Sequence, residues 1–302
     1  MNRRPLFRTA TLALVVAALS ACTLPSVPPA RPVEIPASQR FLPELAPDSR
    51  TLAGSGWRDY FQDPVLQKLI SLALENNRDL RIAQASVDFA IGQLRLREAE
   101  TTPLIGLGLG SSSAPQANGT LARSVNSGVQ FSAWEIDFFG RLNSLSEAAR
   151  AQWLATEEAS RAARLSLVAS VAATWLNLIA DEELLALTEQ TLETREESLR
   201  LTRLRFDNGA ASELDFRQAQ SLAEGARVVR AQQLRQRSLN RNALVQLMGM
   251  PDAATPELAR TRLADIALSD VPVGVPSTIL LSRPDIRQAE HSLIRSEEHT
   301  SE

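Results

Sequence analysis

Large apolar residues recur at a strict seven-residue spacing through the middle of the chain. They are Val171, Leu178, Leu185, Leu192, Leu199 and Phe206, and residues 141–208 contain neither glycine nor proline. The same stretch is rich in alanine, leucine, glutamate and arginine, which are strong helix formers. A sustained seven-residue repeat is typical of a helix that packs along its neighbours as in a coiled coil. We therefore predict one unbroken helix of about 65 residues.

The long helix is predicted to end in a turn and to return as a second helix. Residues 207–209 read Asp-Asn-Gly, a turn signal with glycine where a left-handed C-cap residue belongs. Helical pattern resumes near Ser212 and ends at Met248. The result is a helical hairpin over residues 142–248, with arms of about 100 Å and about 55 Å.

Two shorter helices are predicted before the long one. Asp63 suits an N-cap and Pro64 suits the first helical position, which predicts a helix over residues 64–76. The next helix, over residues 79–100, is about 33 Å long. The lengths of this helix and of the return arm add up to nearly the length of the long arm. We therefore expect this helix and the return arm to stack end to end beside the long arm. Residues 48–78 and 250–283 would then form a belt around their junction.

Between the short helices and the long one, apolar residues recur at every second position. Ile105, Leu107 and Leu109 alternate with glycines, and Val129 and Phe131 lie in a second alternating segment after a polar loop. Two strands of about ten residues fit a transmembrane β-hairpin over residues 104–138, with these five residues facing lipid. The pattern alone equally allows a half-buried hairpin of a soluble protein. The export signal described next and the length of the following helix favour the membrane.

The N-terminus has the features of a lipoprotein export signal. Three arginines precede a short apolar segment over residues 9–19, which predicts a signal peptide over residues 1–21. It ends in Leu-Ser-Ala-Cys, which resembles a bacterial lipobox, so Cys22 is the predicted site of acylation. Cys22 is also the single cysteine, which excludes an intrachain disulfide. Residues 22–62 are rich in proline and are predicted to form an extended tether.

Composition and charge argue against several other classes of protein. A net charge of −3 with 5% aromatic residues is unlike that of a nucleic-acid-binding protein. There are two histidines, and we find no metal-binding pair, nucleophile elbow or phosphate-binding loop. We predict no enzymatic activity, no cofactor and no metal site. The acidic clusters at 157–158, 181–183 and 196–197 are interpreted as solvated helix faces.

Several short motifs, in order along the chain, resemble one known family. They are Trp57 to Phe61 with Asp63-Pro64, Asn77 to Arg81, Trp134 to Arg141, Arg205 to Gly209 with Leu214-Asp215, Pro276-Ser277, and Arg283 to Glu290. Together they resemble the TolC-like outer-membrane factors of tripartite efflux systems, in the lipoprotein branch of that family. The resemblance covers nearly all of the mature chain.

The resemblance implies a mainly α-helical fold with a transmembrane β-hairpin. In this family a homotrimer forms one β-barrel in the outer membrane and one α-barrel in the periplasm. The function implied is a passive efflux duct for drugs or other small molecules, anchored by lipid in the outer membrane. Its partners would be outer-membrane lipid, a periplasmic adaptor and an inner-membrane RND transporter. The adaptor is expected to contact the hairpin tip, namely Asn208, Gly209, Ala210, Ala211 and Ser212.

The alternative function is a lipid-anchored periplasmic adaptor, which also contains a coiled-coil hairpin. An adaptor would carry glycine-rich lipoyl half-motifs beside its hairpin, whereas this chain has an alternating β pattern there.

An internal repeat is visible late in the chain. Residues 79–83 are similar in sequence to residues 285–289, and Ser86 aligns with Ser292 at the same offset. We expect residues 63–283 to be the first repeat and residues 284–294 to begin a second. Residues 295–302 resemble translated sequencing-adapter DNA, which predicts a truncated reading frame. The family's constricting gate would lie in the part of the second repeat that is missing.

Overall fold

The computed structural model describes residues 56–117, 119–131, 134, 137–251, 262–268 and 277–300. The α-helices are α1 (Trp57–Tyr60), α2 (Pro64–Asn76), α3 (Arg78–Glu100), α4 (Arg141–Asp207), α5 (Glu213–Met248) and α6 (Pro284–Thr300). Strands β1 (Ile105–Pro115) and β2 (Leu121–Phe131) form an antiparallel sheet, and short 3-10 helices cover Leu263–Asp265 and Ser277–Ser282. The predicted fold class, mainly helical with one β-hairpin and a long helical hairpin, is confirmed.

The chain divides into two compact units. Among the described residues, unit 1 holds Gln84–Ala159 and the chain from Arg283 onward, and unit 2 holds the chain up to Ala83 together with Ser160–Ser282. The signal peptide, Cys22 and most of the proline-rich tether lie outside the described residues, as does much of the predicted belt.

A helical core forms the centre of unit 2. Asp63 Oδ1 accepts hydrogen bonds from the backbone amides of Val65 and Leu66 at 2.8 and 2.9 Å, which fixes the start of α2. The buried face of α2 follows from helical spacing, and it packs with residues of α4 and α5. The fully buried members with large side chains are Trp175, Leu66, Leu69, Ile70, Leu244, Met248 and Val171.

The end of α5 meets the start of α3 within unit 2, as predicted. The Asn77 side chain donates to the carbonyl of Leu247 at 2.8 Å and accepts from the amide of Leu80 at 2.9 Å. Gly249 ends α5 with a φ of 64°. A Cβ there would lie 2.9 Å from the carbonyl carbon of Asn76, so both the backbone angle and the close approach require glycine.

The arms of the helical hairpin pair through acidic residues of α4 and basic residues of α5. The ion pairs are Glu182–Arg237 at 3.5 Å, Glu189–Arg230 at 3.0 Å and Glu196–Arg227 at 2.8 Å. Residue numbers fall on α5 as they rise on α4, which is an antiparallel register. The heptad residues of α4 are buried from Val171 to Leu185 and half-buried from Leu192 to Phe206.

One of the acidic residues that were interpreted as solvated is buried. Glu158 is 4% exposed and lies 3.3 Å from Arg287 of α6 within unit 1. The interpretation was wrong for Glu158, because its partner lies far away in sequence and local charge patterning could not identify it. Glu182 and Glu196 bind α5, but their side chains remain about half exposed, as a solvated face requires.

The polar loop of the β-hairpin is shorter than predicted. Strand β1 continues to Pro115 and β2 begins at Leu121, although serine-rich composition suggested a loop over much of this segment. The two strands keep their backbone pairing through it, and the hydroxyls of Ser112 and Ser124 lie 2.7 Å apart across the ladder. Cross-strand pairing therefore overrides weak local preference.

Helix α4 also contains the one stretch of the described residues that is long and apolar enough to cross a membrane. This is weak evidence of a membrane span, because core helices meet the same criterion, and α4 contributes Val171 and Trp175 to the core of unit 2.

Candidate functional site

The register of the β-hairpin places the five proposed lipid-facing positions on one side of the sheet. Ile105 is opposite Phe131, and Leu107 is opposite Val129. Directly opposed residues in an antiparallel pair share a face, and alternate residues of a strand do too. Leu109 therefore lies on this face as well.

The other face is small and polar. It carries the glycines at 106, 108, 110 and 128 with Asn126 and Gln130, and the hydroxyls of Ser112 and Ser124 are hydrogen-bonded to each other on it. A Cβ added at Gly108 would lie 3.8 Å from Oε1 of Gln130, so the glutamine side chain lies over the glycines. One face suits a hydrocarbon environment and the other suits water.

Neither face of the hairpin is covered by the described chain. Every residue of β1 is exposed, and Leu107 is 89% exposed. The alternative that the sequence left open, a half-buried soluble hairpin, needs one face packed against protein. This arrangement is absent, so any cover for Leu107 and Leu109 must come from outside the described residues.

Sequence reasoning missed one apolar position at the loop end of the same face. Leu121 is exposed, and the register places it on the side that holds Val125 and Val129. Its alternation with Val125 and Val129 was a usable signal, but Leu121 was assigned to the polar loop.

An aromatic corner lies between the hairpin and α4. Trp134, Phe138 and Phe139 all have exposed side chains, and Trp134 Nε1 donates to the carbonyl of Thr101 at 3.1 Å. Asp137 accepts from the amide of Asn143 at 3.0 Å, near the start of α4. These residues were quoted as a family motif, and their exposure was not foreseen. Three exposed aromatic rings suit the membrane–water boundary, where amphipathic rings are enriched.

The tip turn is held by local hydrogen bonds. Gly209 has a φ of 70°, and the amide of Ala210 donates to the carbonyl of Arg205 at 2.8 Å. Ser212 and Asp215 form a capping box, with each side chain accepting from the other's backbone amide at 3.1 Å. The hydrogen bonds from Ser212 hold the pKa of the Asp215 carboxyl below its ordinary value. The exposed turn is therefore well ordered without any partner.

Two phenylalanines join the arms directly behind this turn. The rings of Phe206 and Phe216 are stacked, with centroids 5.5 Å apart and planes 10° from parallel. Arg203 and Arg217 lie 5.6 and 5.5 Å from the centre of the Phe216 ring. Phe206 was expected as a heptad residue, whereas Phe216 was not singled out, because its role depends on the arm opposite.

The described residues were searched for clusters of metal-ligating side chains and for cavities. No group of three or more His, Cys, Asp or Glu side chains among them could hold a metal ion. An open cavity of about 580 Å³ lies at the junction in unit 2, and its lining contains neither His, Cys nor Ser. The predicted acylation site, Cys22, lies outside the described residues.

Comparison with known proteins connects this geometry to one group. Residues 69–250 match the family model described as outer membrane efflux protein. The chain is 41% identical over 250 residues to the probable efflux pump outer membrane protein TtgC of Pseudomonas putida, covering 80% of this chain and 51% of TtgC. It is 35% identical over 304 residues to outer membrane protein OprJ of Pseudomonas aeruginosa, covering 96% of this chain and 62% of OprJ.

Solved structures agree with the sequence relatives. The open state of the Neisseria gonorrhoeae MtrE outer membrane channel aligns with a TM-score of 0.68 and 35% identity, over 82% of this chain and 56% of MtrE. A membrane protein from Pseudomonas aeruginosa aligns with a TM-score of 0.71 and 36% identity, over 80% and 58%. The chain spans about half the length of curated relatives such as TtgC.

Proposed function

Because the chain belongs to the outer membrane efflux protein family, we propose that it is a channel subunit of a tripartite efflux pump. It would form a passive duct for small molecules across the periplasm and the outer membrane. The family relationship confirms the motif-based resemblance and the outer-membrane location. It also favours the channel over the alternative, a periplasmic adaptor, since MtrE, one of the matched structures, is an outer membrane channel.

One observation carries the proposal most directly. The hairpin consists of two exposed 11-residue strands. Where β1 begins and β2 ends, one face carries Ile105, Leu107, Leu109 and Val129, and the other face is small and polar. Strands of about 9–11 residues are long enough to cross a bilayer when tilted. The chain runs from this hairpin into α4, a single helix of 67 residues, about 100 Å long. A membrane hairpin joined to such a helix suits a duct that crosses both membrane and periplasm.

The partners follow from the same proposal. A two-stranded hairpin cannot close a barrel, so strands from other hairpins must join it, and we propose a homotrimer as the closed form. A passive duct needs an energised partner, which we propose to be an RND transporter reached through a periplasmic adaptor. Relatives are named for toluene, solvent and antibiotic efflux, so the proposed cargo is small organic molecules. The proposed role is transport without catalysis of a reaction.

Complementation tests the channel function. The complete gene is expressed with its own adaptor and transporter in a strain that lacks endogenous outer-membrane efflux channels. We expect expression of the channel to lower the accumulation of a fluorescent efflux dye, and we expect no such decrease when the transporter is inactivated. Dye accumulation that is the same with and without the channel, although it is present in the outer membrane, contradicts the proposal.

The tip turn is the proposed contact for the adaptor. Asn208 to Ser212 are small and uncharged, as close approach between two helical hairpins requires, and the turn is ordered in advance. Ala211→Arg should leave the trimer in the outer membrane but abolish cross-linking to the adaptor, because a charge would be desolvated at the contact. The matched control is Gln218→Arg, an exposed position on α5 away from the turn. Normal cross-linking and efflux in Ala211→Arg would mean that the turn does not contact the adaptor.

Acylation of Cys22 is the proposed membrane anchor. A chain with several acyl groups binds a membrane stably, whereas one group does not. Metabolic labelling with a tagged fatty acid, of the palmitate class, should mark the wild-type protein and leave Cys22→Ser unmarked. Label that persists in the serine variant, or is missing from wild type, removes the lipoprotein assignment.

A further inference from the structure

Arg123 is the only charged residue of the segment that forms the β-hairpin, residues 104–131. It lies in β2 near the loop, and its side chain is exposed. Within the described part of the chain, its guanidinium has no hydrogen bond and no ion pair. A charged side chain is costly against lipid. A single charge without a partner in a hairpin proposed to cross a membrane therefore calls for a physical reason.

The register of the sheet places Arg123 on the apolar face. Arg123 is opposite Ser113, and both positions share the face that holds Leu107. A shift of one position in either direction, to Ala122 or Ser124, would put the charge on the small polar face. A charge costs much less on a face that lines water. The protein therefore carries its one hairpin charge on the side proposed to contact lipid.

The length of the strands places Arg123 near one boundary of the membrane. Its partner Ser113 lies eight residues after Ile105, which is about 27 Å along a strand and roughly 20 Å across a membrane at a tilt of about 45°. The apolar band of such a barrel is about 25 Å tall. Helices α3 and α4 join the hairpin at its Ile105 end. In a duct whose helices extend into the periplasm, Arg123 lies at the outer surface.

The surroundings of Arg123 combine apolar side chains with a hydroxyl group. Leu121 and Val125, two positions away on either side, are 65% and 71% exposed. Ser113 is directly opposite, and the Cβ atoms of such a pair lie about 5 Å apart. The hydroxyl of Ser113 has no hydrogen bond within the described part of the chain, whereas two serine hydroxyls on the polar face bond to each other. The site offers a guanidinium and a hydroxyl between two apolar side chains.

This combination identifies the ligand by its chemistry. A guanidinium binds a phosphate group through two parallel hydrogen bonds, and a serine hydroxyl can donate another. The apolar stem of Arg123 can extend past Leu121 to bring the guanidinium to the level of the headgroups. Val125, on the membrane side, suits contact with acyl chains, which inorganic phosphate lacks. The ligand that fits is therefore a lipid with a phosphate headgroup.

We propose that Arg123 and Ser113 form a binding site for the phosphate of a lipopolysaccharide molecule, the phosphorylated glycolipid of the outer leaflet. The acyl chains of that lipid would lie against Val125. The phosphate supplies the opposite charge that the described chain does not, which is why an arginine is tolerated on this face. The inference rests on the proposed function, because it needs a hairpin that crosses the outer membrane, and it adds a lipid site at the outer boundary.

Lipid binding by the complete protein tests the proposal. Native mass spectrometry of the protein, purified in detergent and titrated with lipopolysaccharide, measures the affinity of the bound lipid. We expect Arg123→Gln to weaken binding about fivefold, which is the contribution of one basic residue near anionic lipid. Arg150→Gln is the matched control, because it removes the same charge from an exposed arginine of α4. Equal affinities for wild type and Arg123→Gln overturn the site.

A second variant moves the charge without changing the composition of the strand. The double substitution Arg123→Ser with Ser124→Arg transfers the arginine to the polar face, one position away. We expect this protein to bind lipopolysaccharide as weakly as Arg123→Gln does. Binding as tight as that of wild type would show that the face of the sheet does not matter, and it would overturn the proposed geometry.

Two further ligands test the source of the phosphate. Dephosphorylated lipopolysaccharide should bind equally to wild type and Arg123→Gln, because it lacks the group that the arginine recognises. Excess inorganic phosphate should leave lipopolysaccharide bound to wild type. Displacement by inorganic phosphate alone would indicate a site for that ion and overturn the lipid assignment. Unchanged lipid binding together with a less stable oligomer in Arg123→Gln would also overturn it, since Arg123 would then pair with an acidic residue of another strand.

The outcomes separate this inference from the proposed function. A complete wild-type protein that is absent from the outer membrane removes the channel and the lipid site together. A wild type that is inserted and lowers dye accumulation, but binds lipopolysaccharide no more tightly than Arg123→Gln, removes the lipid site alone.

Discussion

The β-hairpin of unit 1 and the helical core of unit 2 carry apolar side chains of similar size, but only the core covers them. Leu66, Leu69 and Trp175 are at most 1% exposed, whereas Leu107 is 89% exposed. A large apolar side chain gains roughly 1.5–3 kcal/mol from full burial. The core obtains this gain within the protomer. The apolar side chains of the hairpin can obtain this gain only from surroundings that the described chain does not supply.

The backbones of the two regions differ in the same way. Helices α2, α4 and α5 satisfy their backbone hydrogen bonds internally, so they need only side-chain packing. Strands β1 and β2 pair with each other and have no other strand beside them among the described residues. Unpaired strand edges are not tolerated in hydrocarbon. The core is therefore completed within unit 2, whereas a hairpin placed in hydrocarbon would need further strands at its edges.

The largest expected effect is on the core. Trp175→Ala removes a side chain that is 1% exposed, and we expect a loss of about 3–5 kcal/mol in the free energy of unfolding. Guanidinium unfolding of the purified complete protein, followed by helical circular dichroism, measures it. Leu187→Ala, at an exposed position of the same helix, should change little. Equal losses for the two variants would contradict a core centred on Trp175.

The next effect concerns the hairpin and should appear in membrane insertion. Leu107→Arg places a charge on the apolar face, with an expected loss of roughly 2–4 kcal/mol if the site is near the bilayer midplane. Gly108→Arg is the matched variant on the polar face, one residue away, and should lose much less. The measurement is the fraction of protein folded into lipid bilayers along a denaturant series. If both positions tolerate arginine equally, the hairpin does not face lipid on one side.

A smaller effect is expected at the tip, where neither core nor membrane contributes. Ser212→Ala removes the cap of α5 and should reduce local stability by about 1 kcal/mol. Hydrogen exchange of the first amides of α5 measures this, with Ser221→Ala as the exposed control on the same helix. An unchanged exchange rate in Ser212→Ala would mean that the capping box does not hold the turn.

The same cap should respond to pH. Hydrogen bonds from Ser212 lower the pKa of Asp215 in the folded protein below its ordinary value. Stability from this carboxylate is therefore present above the ordinary pKa and is lost as pH falls through the lowered one. The protection factors of the amides at the tip should fall in that acidic range for wild type, and Asp215→Asn should show low protection without this acid transition. An identical pH dependence in both proteins would exclude Asp215 as the titrating group.

The smallest effect concerns the ion pairs between the hairpin arms. Glu189 and Arg230 are 3.0 Å apart, but both side chains are nearly half exposed. Screening by solvent limits such a pair, so Arg230→Gln should reduce the free energy of unfolding by about 0.5 kcal/mol, less at high salt. A double-mutant cycle with Glu189→Gln isolates the pair. A coupling energy that does not depend on salt would indicate an interaction other than the ion pair.

Local patterns in the sequence were enough to define most elements. The seven-residue repeat without glycine or proline predicted α4, and the Asp-Asn-Gly signal predicted its end. Asp63 with Pro64 predicted the start of α2, and alternation of apolar residues predicted which positions of the two strands share a face. These features depend on neighbours within a few residues, so the sequence contains all the information that they require. Motifs spread along the chain also carried the family resemblance.

Tertiary structure decided which distant residues meet. Glu182 and Glu196 bind α5 because the antiparallel register brings Arg237 and Arg227 to them, and that register is set by packing along the whole hairpin. Gly249 is fixed by the approach of Asn76, a contact across more than 170 residues. The exposure of Phe89 and Leu222 was equally invisible, because exposure is a property of the folded chain. Sequence periodicity shows that a face is apolar, and only the fold shows whether that face is already covered.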